Sequence, residues 1–281
     1  MTSDEDWVPF GLVELDLLAA HAGVPMPYPL RVPSFGRIAG ERDVLLAAAA
    51  LTLRARGLAD DHGPVATAAE LVTALREHRG TVDLVVFGPD GPVGAVAVVY
   101  RSWALVCRQR LTDELTETVE IRRVAQTALA EELIGMVPDR PPAVSMPIVL
   151  PPGVVRSALR IVGDGADAST TEQRLRDLVS DRGGDPGVLE RLTGLVAALT
   201  GRGQLGATRR TGSSPAARAG TELSWLDGPR GRVRVGRTDD GWLNVNPLRH
   251  TDLRFAVNEL ALIARKENHE HTGSSAVARS L

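Results

Sequence analysis

One nine-residue pattern occurs twice in this chain. Asp90-Gly91-Pro92-Val93-Gly94-Ala95-Val96-Ala97-Val98 and Asp227-Gly228-Pro229-Arg230-Gly231-Arg232-Val233-Arg234-Val235 both read D-G-P-x-G-x-V-x-V. The echo continues: Trp103 follows the first copy and Trp242 the second, and Arg110-Leu111-Thr112-Asp113 is matched, after a similar gap, by Leu248 to Asp252. An internal repeat constrains a fold strongly, because each copy has to be the same supersecondary unit. The spacing of about 137 residues is too long for a solenoid, whose period is about 20–50. It predicts two related halves, each built on a β-meander, with Asp90 aligned on Asp227 and Val96 on Val233.

Local signals fill in both halves. Pro25, Pro27, Pro29 and Pro33 mark an irregular segment. Glu41 to Arg56 carries Val44, Ala48, Leu51 and Ala55 at helical spacing, closed by Gly57. Thr67-Ala68-Ala69-Glu70 reads as a capping box opening a second helix. Val82–Phe87 and Val93–Tyr100 read as strands joined by the hairpin signal Gly88 to Pro92. Trp103–Arg108 and Glu117–Arg122 read as further strands, and Val124–Met136 as a helix. After Pro138, Pro141 and Pro142 the second half predicts a strand at Val144–Val149 and a helix at Val154–Val162. Two more helices follow, one behind Ser169-Thr170-Thr171-Glu172 and one behind Asp185-Pro186. Gln204–Arg209, a polar loop from Thr211 to Gly220, and strands at Glu222–Asp227, Gly231–Arg237 and Gly241–Val245 lead to a last helix, Thr251–Arg265.

Consecutive strands joined by tight turns are antiparallel, and helices segregated from such sheets give an α+β protein. The expected fold is therefore α+β, with two quasi-symmetric antiparallel β-meander halves and flanking helices. Residues 1–266 read as a single domain of two pseudo-repeats, about 7–137 and 143–266. Residues 267–281 have no periodic apolar face and read as a disordered tail. The two copies differ in one respect. Ala95 and Ala97 become Arg232 and Arg234, while the valines are kept. A continuously apolar strand is covered on both faces and an alternating one has a wet face. The first copy is expected to be deeply buried and the second to expose an arginine row.

Composition narrows the function. A single cysteine, Cys107, excludes a disulfide or a cysteine metal quartet within the chain. The start, Met1 to Asp6, is acidic rather than signal-like, and no run approaches the ~20 apolar residues that span a bilayer. The chain reads as soluble and cytoplasmic. A net charge of −3 argues against general nucleic-acid binding.

Motifs for catalysis are scarce. Gly201-Arg202-Gly203-Gln204-Leu205-Gly206 matches G-x-G-x-x-G but runs into a strand candidate, whereas a dinucleotide site follows a strand and opens a helix. It reads as a helix stop and a flexible turn. His269 and His271 form an H-x-H pair in a polar tail without other ligands, and Glu131-Glu132 point apart on one helix. No catalytic residue, cofactor or metal site is expected. Arg230, Arg232, Arg234 and Arg237 read either as a solvated strand face or as a partner-binding row, since arginine is enriched at interfaces. Trp225 and Trp242 flank that strand.

Several short motifs share one resemblance. Leu12-Val13-Glu14-Leu15-Asp16-Leu17-Leu18, Pro27-Tyr28-Pro29-Leu30, Gly36 with Glu41-Arg42, Leu53 to Leu58, and Glu222 to Arg232 resemble, in order and spacing, the EspG family. The similarity covers about residues 7 to 265. These are cytosolic chaperones of mycobacterial-type type VII secretion. The resemblance implies an α+β fold with internal quasi-two-fold symmetry. It also implies binding of a PE–PPE-like heterodimer at the helical tip of the PPE subunit, through the central sheet and C-terminal helices, which keeps the export substrate soluble. No catalytic residue belongs to the family. Its contact residues vary and do not carry over by position. Some members have a longer loop that touches the partner where this chain has the short turn Gly88 to Pro92. The expected partner-binding set is Trp225, Arg230, Arg232, Arg234, Trp242 and Asn244, with no nucleic acid, no membrane insertion and at most a weak homodimer. The rival readings are an adaptor for another helical partner and a nucleotide-binding protein using Gly201 to Gly206.

Overall fold

The computed structural model describes residues 6–112, 118–144, 147–154, 157, 161, 168–188, 199–211 and 216–266. The first half runs β1 (Val8–Gly11), α1 (Leu12–Ala22), α2 (Ala39–Ala55), the small hairpin β2 (Ala59–Asp60) and β3 (Gly63–Pro64), and α3 (Ala66–Glu77). It continues with β4 (Gly80–Gly88), β5 (Gly91–Tyr100), β6 (Trp103–Arg110), β7 (Thr118–Ala125) and α4 (Leu129–Ile134). The second half has β8 (Ile148–Leu150), α5 (Ala168–Ser180), β9 (Gly201–Arg209), β10 (Ala217–Arg218), β11 (Leu223–Gly228), β12 (Gly231–Arg237), β13 (Leu243–Pro247) and α6 (His250–Arg265).

All but the β2–β3 hairpin join one 11-stranded sheet, ordered β1-β7-β6-β5-β4-β9-β11-β12-β13-β8, with β10 on β9. Its pairings are antiparallel. Outward from the central β4–β9 pair, the strands recede in chain order on both sides, and the first strand of each half, β1 or β8, closes its edge. That is the arrangement of two quasi-symmetric meanders.

The nine-residue echo does not mark equivalent strands. Val96 lies in β5, the second strand out from the centre on its side, and Val233 in β12, the third. What the copies share is turn chemistry. Gly88-Pro89-Asp90-Gly91 and Gly228-Pro229-Arg230-Gly231 each close a hairpin between paired glycines. Proline presets φ at the second turn position, and Gly91 and Gly231 take φ of 96° and 110°, a region costly for other residues. A hairpin signal reports a turn, not its place in the sheet, and aligning the turns shifts the pattern by three residues.

Other boundaries also move. The helix expected behind Thr67 starts at Ala66, with no side-chain cap. Strand β7 continues to Ala125, so the helix expected from Val124 starts only at Leu129. The strand expected at Val144–Val149 forms at Ile148–Leu150. The Thr211–Gly220 loop contains β10. Most of the Val154–Val162 segment, residues 189–198 and the tail 267–281 lie outside the described residues.

Side chains alternate between two faces. On the front, Val82, Leu84, Ala95, Ala97, Leu205 and Trp225 pack under α4 and α6. On the back, Val96, Val98, Leu105, Cys107 and Ile121 pack under α1 and α3. Farther along the back, Val233 and Val245 join Ile148, Leu150 and Val179. Strand β5 is apolar and buried on both faces, as its sequence predicts.

Helix α2 buries a different face from the stripe that its apolar spacing marks. Its Val44–Leu51 stripe faces out, with Val44 69% and Leu51 66% exposed, while Ala49 and Leu53 are buried. The cause is electrostatic. Arg42 pairs with Asp16 at 2.7 Å and Arg56 with Glu14 at 2.8 Å, both carboxylates sitting on α1 and buried. Arg42 and Arg56 stand on one side of α2, so the two ion pairs set its rotation. In an alanine-rich helix, apolar periodicity alone does not distinguish the faces.

Candidate functional site: a groove between the two halves

Among the described residues, the helices covering the back face leave a gap over the centre of the sheet. Its floor is built by alternation: Val85 and Phe87 from β4, Arg202 and Gln204 from β9, and Ser224 and Leu226 from β11. One wall comes from the proline-rich segment, with Tyr28, Pro29 and Arg31, joined by Leu111. The groove holds about 410 Å³. The wall is fastened by Gln109: its Oε1 accepts from the Arg31 N–H at 2.7 Å, and its Nε2 donates to the Arg31 carbonyl at 3.2 Å. Two aromatics stand open beside the floor, Tyr28 at 55% and Phe87 at 37% exposure. Each carries a guanidinium over its ring: Arg218 lies 5.3 Å from Tyr28 and Arg202 lies 4.3 Å from Phe87. Such cation–π contacts hold flexible arginines over apolar surface.

Next to the floor on the same face, Asp83 of β4 is buried and ion-paired to Arg218 of β10, which also pairs with Glu222 at 3.2 Å. Burial pushes the Asp83 carboxyl above the usual carboxylate range, against the opposing pull of the Arg218 hydrogen bond. Arg218 thus ties the β9–β11 connection to the sheet and to the aromatic wall. The arrangement offers apolar surface, open aromatic rings and cations.

The expected partner-binding residues divide. Trp225 and Arg232 are buried and leave the set of surface contacts. The Trp225 ring fills the space over Gly203, where an added Cβ would meet the ring at 2.0 Å. Arg232 has no exposed surface; it forks onto Asp227, with Nε and Nη2 donating to the two carboxylate oxygens at 2.6 and 2.9 Å. Its Nη2 also donates to the Pro138 carbonyl at 2.8 Å. The backbone of the same residue is bonded to Pro141, Ala143 and Leu248. The linker between the halves therefore runs over this position, and strand alternation cannot reveal a cover made by a distant segment. Arg234 and Asn244 do fall together, on an uncovered front strip of β12 and β13, with Trp242 at its end, and Arg230 is exposed at the hairpin tip. Sequence reasoning missed Tyr28, Phe87, Arg202 and Leu226. The available signal was the scarcity of aromatics, two Tyr and four Phe in the chain, one in a proline-rich segment and one at a strand end.

The G-x-G-x-x-G segment is β9, the central strand, and opens no helix. Its Gly203 lies under Trp225 and its Gly206 abuts Arg218. These glycines serve close packing rather than a phosphate, and they form no flexible turn. Among the described residues, no group of three His, Cys, Asp or Glu could hold a metal ion, and no helix is long and apolar enough to cross a membrane.

No curated protein matches the chain. Among solved structures it is similar to the Mycobacterium tuberculosis type VII secretion system chaperone EspG5, solved in complex with a PE25–PPE41 dimer. The similarity covers 91% of this chain and 95% of that one, at 12% identity and a TM-score of 0.61. The EspG family model matches residues 12–259. A match over nearly the whole fold, both meanders included, places this chain in the EspG family.

Proposed function

We propose that this chain is a type VII secretion chaperone that binds a PE–PPE-like heterodimer at the tip of its PPE-like subunit and keeps it soluble for export. The observation that carries this reading is the family match over residues 12–259. The likeness in fold to a chaperone solved with such a dimer supports it. The chain acts in the cytoplasm by binding alone, without catalysis. It works as one domain of two pseudo-repeats, about 7–137 and 143–266.

The back groove is the docking face. A helical tip presents apolar side chains rimmed by polar ones, and the groove presents Phe87 and Leu226 with Arg202 beside them on the floor and Arg31 on the wall. A cavity of about 410 Å³ takes only a few side chains, so the rest of a standard interface of roughly 800 Å² per partner lies on its rim. The hairpin tip at Pro89-Asp90, next to Phe87, is short and adds little.

Co-purification with candidate PE–PPE-like pairs tests both parts. Phe87→Asp should abolish the complex with only a modest fall in melting temperature, because the ring is already partly in water. If Phe87→Asp keeps the complex and Arg234→Glu loses it, the front strip of Arg234, Trp242 and Asn244 is the docking face. Binding only to an unrelated helical protein would favour the adaptor reading.

A further inference from the structure

The register of the groove floor sets one cation in an apolar row. Pro92, Phe87, Arg202, Leu226 and Val233 stand directly opposite one another across β5, β4, β9, β11 and β12. Residues opposite in a ladder share a face, so Arg202 is flanked by Phe87 on one side and Leu226 on the other. Its guanidinium lies 4.3 Å from the Phe87 ring centre, and among the described residues no carboxylate pairs with it. Glu222, just before β11, is already held by Arg218 and by the Gln204 amide, which donates to it at 3.1 Å. The described residues lining the groove include Arg31 and Arg202 and no Asp or Glu, although the chain as a whole carries a net charge of −3. The cationic floor is a local feature set against the charge of the molecule.

We propose that the groove selects a partner helix carrying an acidic residue between two apolar ones, with Arg202 taking the carboxylate. This rests on the groove being the docking face. Strands about 4.8 Å apart put Phe87 and Leu226 about 10 Å from each other. Seven residues of a helix rise about 10.5 Å. A helix crossing the strands can therefore set apolar side chains at i and i+7 against Phe87 and Leu226. The residue at i+3 or i+4, on the same helix face, then falls over Arg202. Docking removes water from that point. A carboxylate there accepts a forked, charge-assisted hydrogen bond from the guanidinium. A neutral residue leaves the cation desolvated and unpaired, and a basic one is repelled. The contact with the Phe87 ring already restrains the guanidinium, so less side-chain freedom is lost on pairing. Specificity of this kind comes as much from rejecting the wrong partner as from holding the right one.

The test measures affinity between the full chain and the PE–PPE-like pair that co-purifies with it. Arg202→Met keeps most of the stem and removes the charge. It should weaken binding about tenfold or more, with little change in melting temperature because Arg202 is exposed. Arg202→Glu should abolish binding, and replacing the facing acidic residue of the partner by lysine should restore it. Arg234→Glu makes the same charge change outside the groove and should leave the affinity within about twofold, since solvent screens a distant charge. If Phe87→Asp abolishes the complex and both Arg202 variants bind as the wild type does, the docking face stands and this inference falls. If Phe87→Asp leaves the complex intact, the docking face is wrong and the inference falls with it. Equal losses from Arg202→Glu and Arg234→Glu would reveal a general field effect and overturn it too.

Discussion

Strands β5 and β12 carry the two copies of one pattern and end in opposite surroundings. Every residue from Ala95 to Val99 is buried, sandwiched between α1–α3 on the back and α4 and α6 on the front. Along β12 the cover changes within three residues: Arg232 lies beneath the interdomain-like linker, and Arg234 faces water. Alternation decides which face a side chain takes. What lies over that face is decided by connections far away in sequence. Strand β5 is therefore sealed and β12 partly open, and the groove lies over the β4, β9 and β11 strands between them.

The sharpest test of this contrast is a pair of identical substitutions two residues apart. Arg232→Glu removes the fork onto Asp227 and buries two carboxylates together. A melting curve should show a loss of about 3–5 kcal/mol, the usual cost of breaking a buried pair. Arg234→Glu should stay within about 0.5 kcal/mol, as exposed substitutions do. Equal effects would break the comparison. Gly203→Ala comes next in size. Its new methyl group would strike the Trp225 ring, and overpacking of this kind costs about 1–3 kcal/mol.

Asp83→Asn probes the central strands more gently. A folded-state value above the usual range means that the native chain takes up this proton more readily than the unfolded chain does. The group thus contributes stability at low pH that is lost as pH rises through the folded value. Asn cannot titrate, so denaturation across pH should show a flatter curve above the usual carboxylate range, while Arg218 keeps Glu222 as a partner. An unchanged slope would assign the titration elsewhere. The smallest expected effect is chemical. Burial pushes the Cys107 thiol up to about 12, and the thiolate is the reactive form. Native protein should resist alkylation until it unfolds, and rapid labelling would show that the core behind β5 and β6 is not sealed.

Much of this architecture was legible in the sequence for physical reasons. Hairpin glycines, the continuous apolar run of β5 and the alternation of β12 are local consequences of backbone geometry. The same locality explains the misreadings. Turn chemistry recurs wherever a hairpin is needed, so the repeated pattern aligned strands that are not equivalent. In α2, Leu45, Leu46, Ala49 and Leu53 offered a second apolar face, and only the partners of Arg42 and Arg56 on α1 choose between them. Arg232 read as a surface residue because its cover, the 138–143 linker, is distant in sequence. The groove was hidden for a related reason: Val82 to Phe87 is almost continuously apolar, which does not reveal where helical cover stops.

Hydrogen exchange of the free chain and of its complex with a cognate PE–PPE-like dimer tests the central claim most directly. The account predicts new protection at residues 27–31, 85–88, 202–204 and 224–226, the proline-rich wall and the floor of the groove. Protection confined to the front strip around Arg234 and Asn244, or to α2, with the groove unchanged, would contradict it.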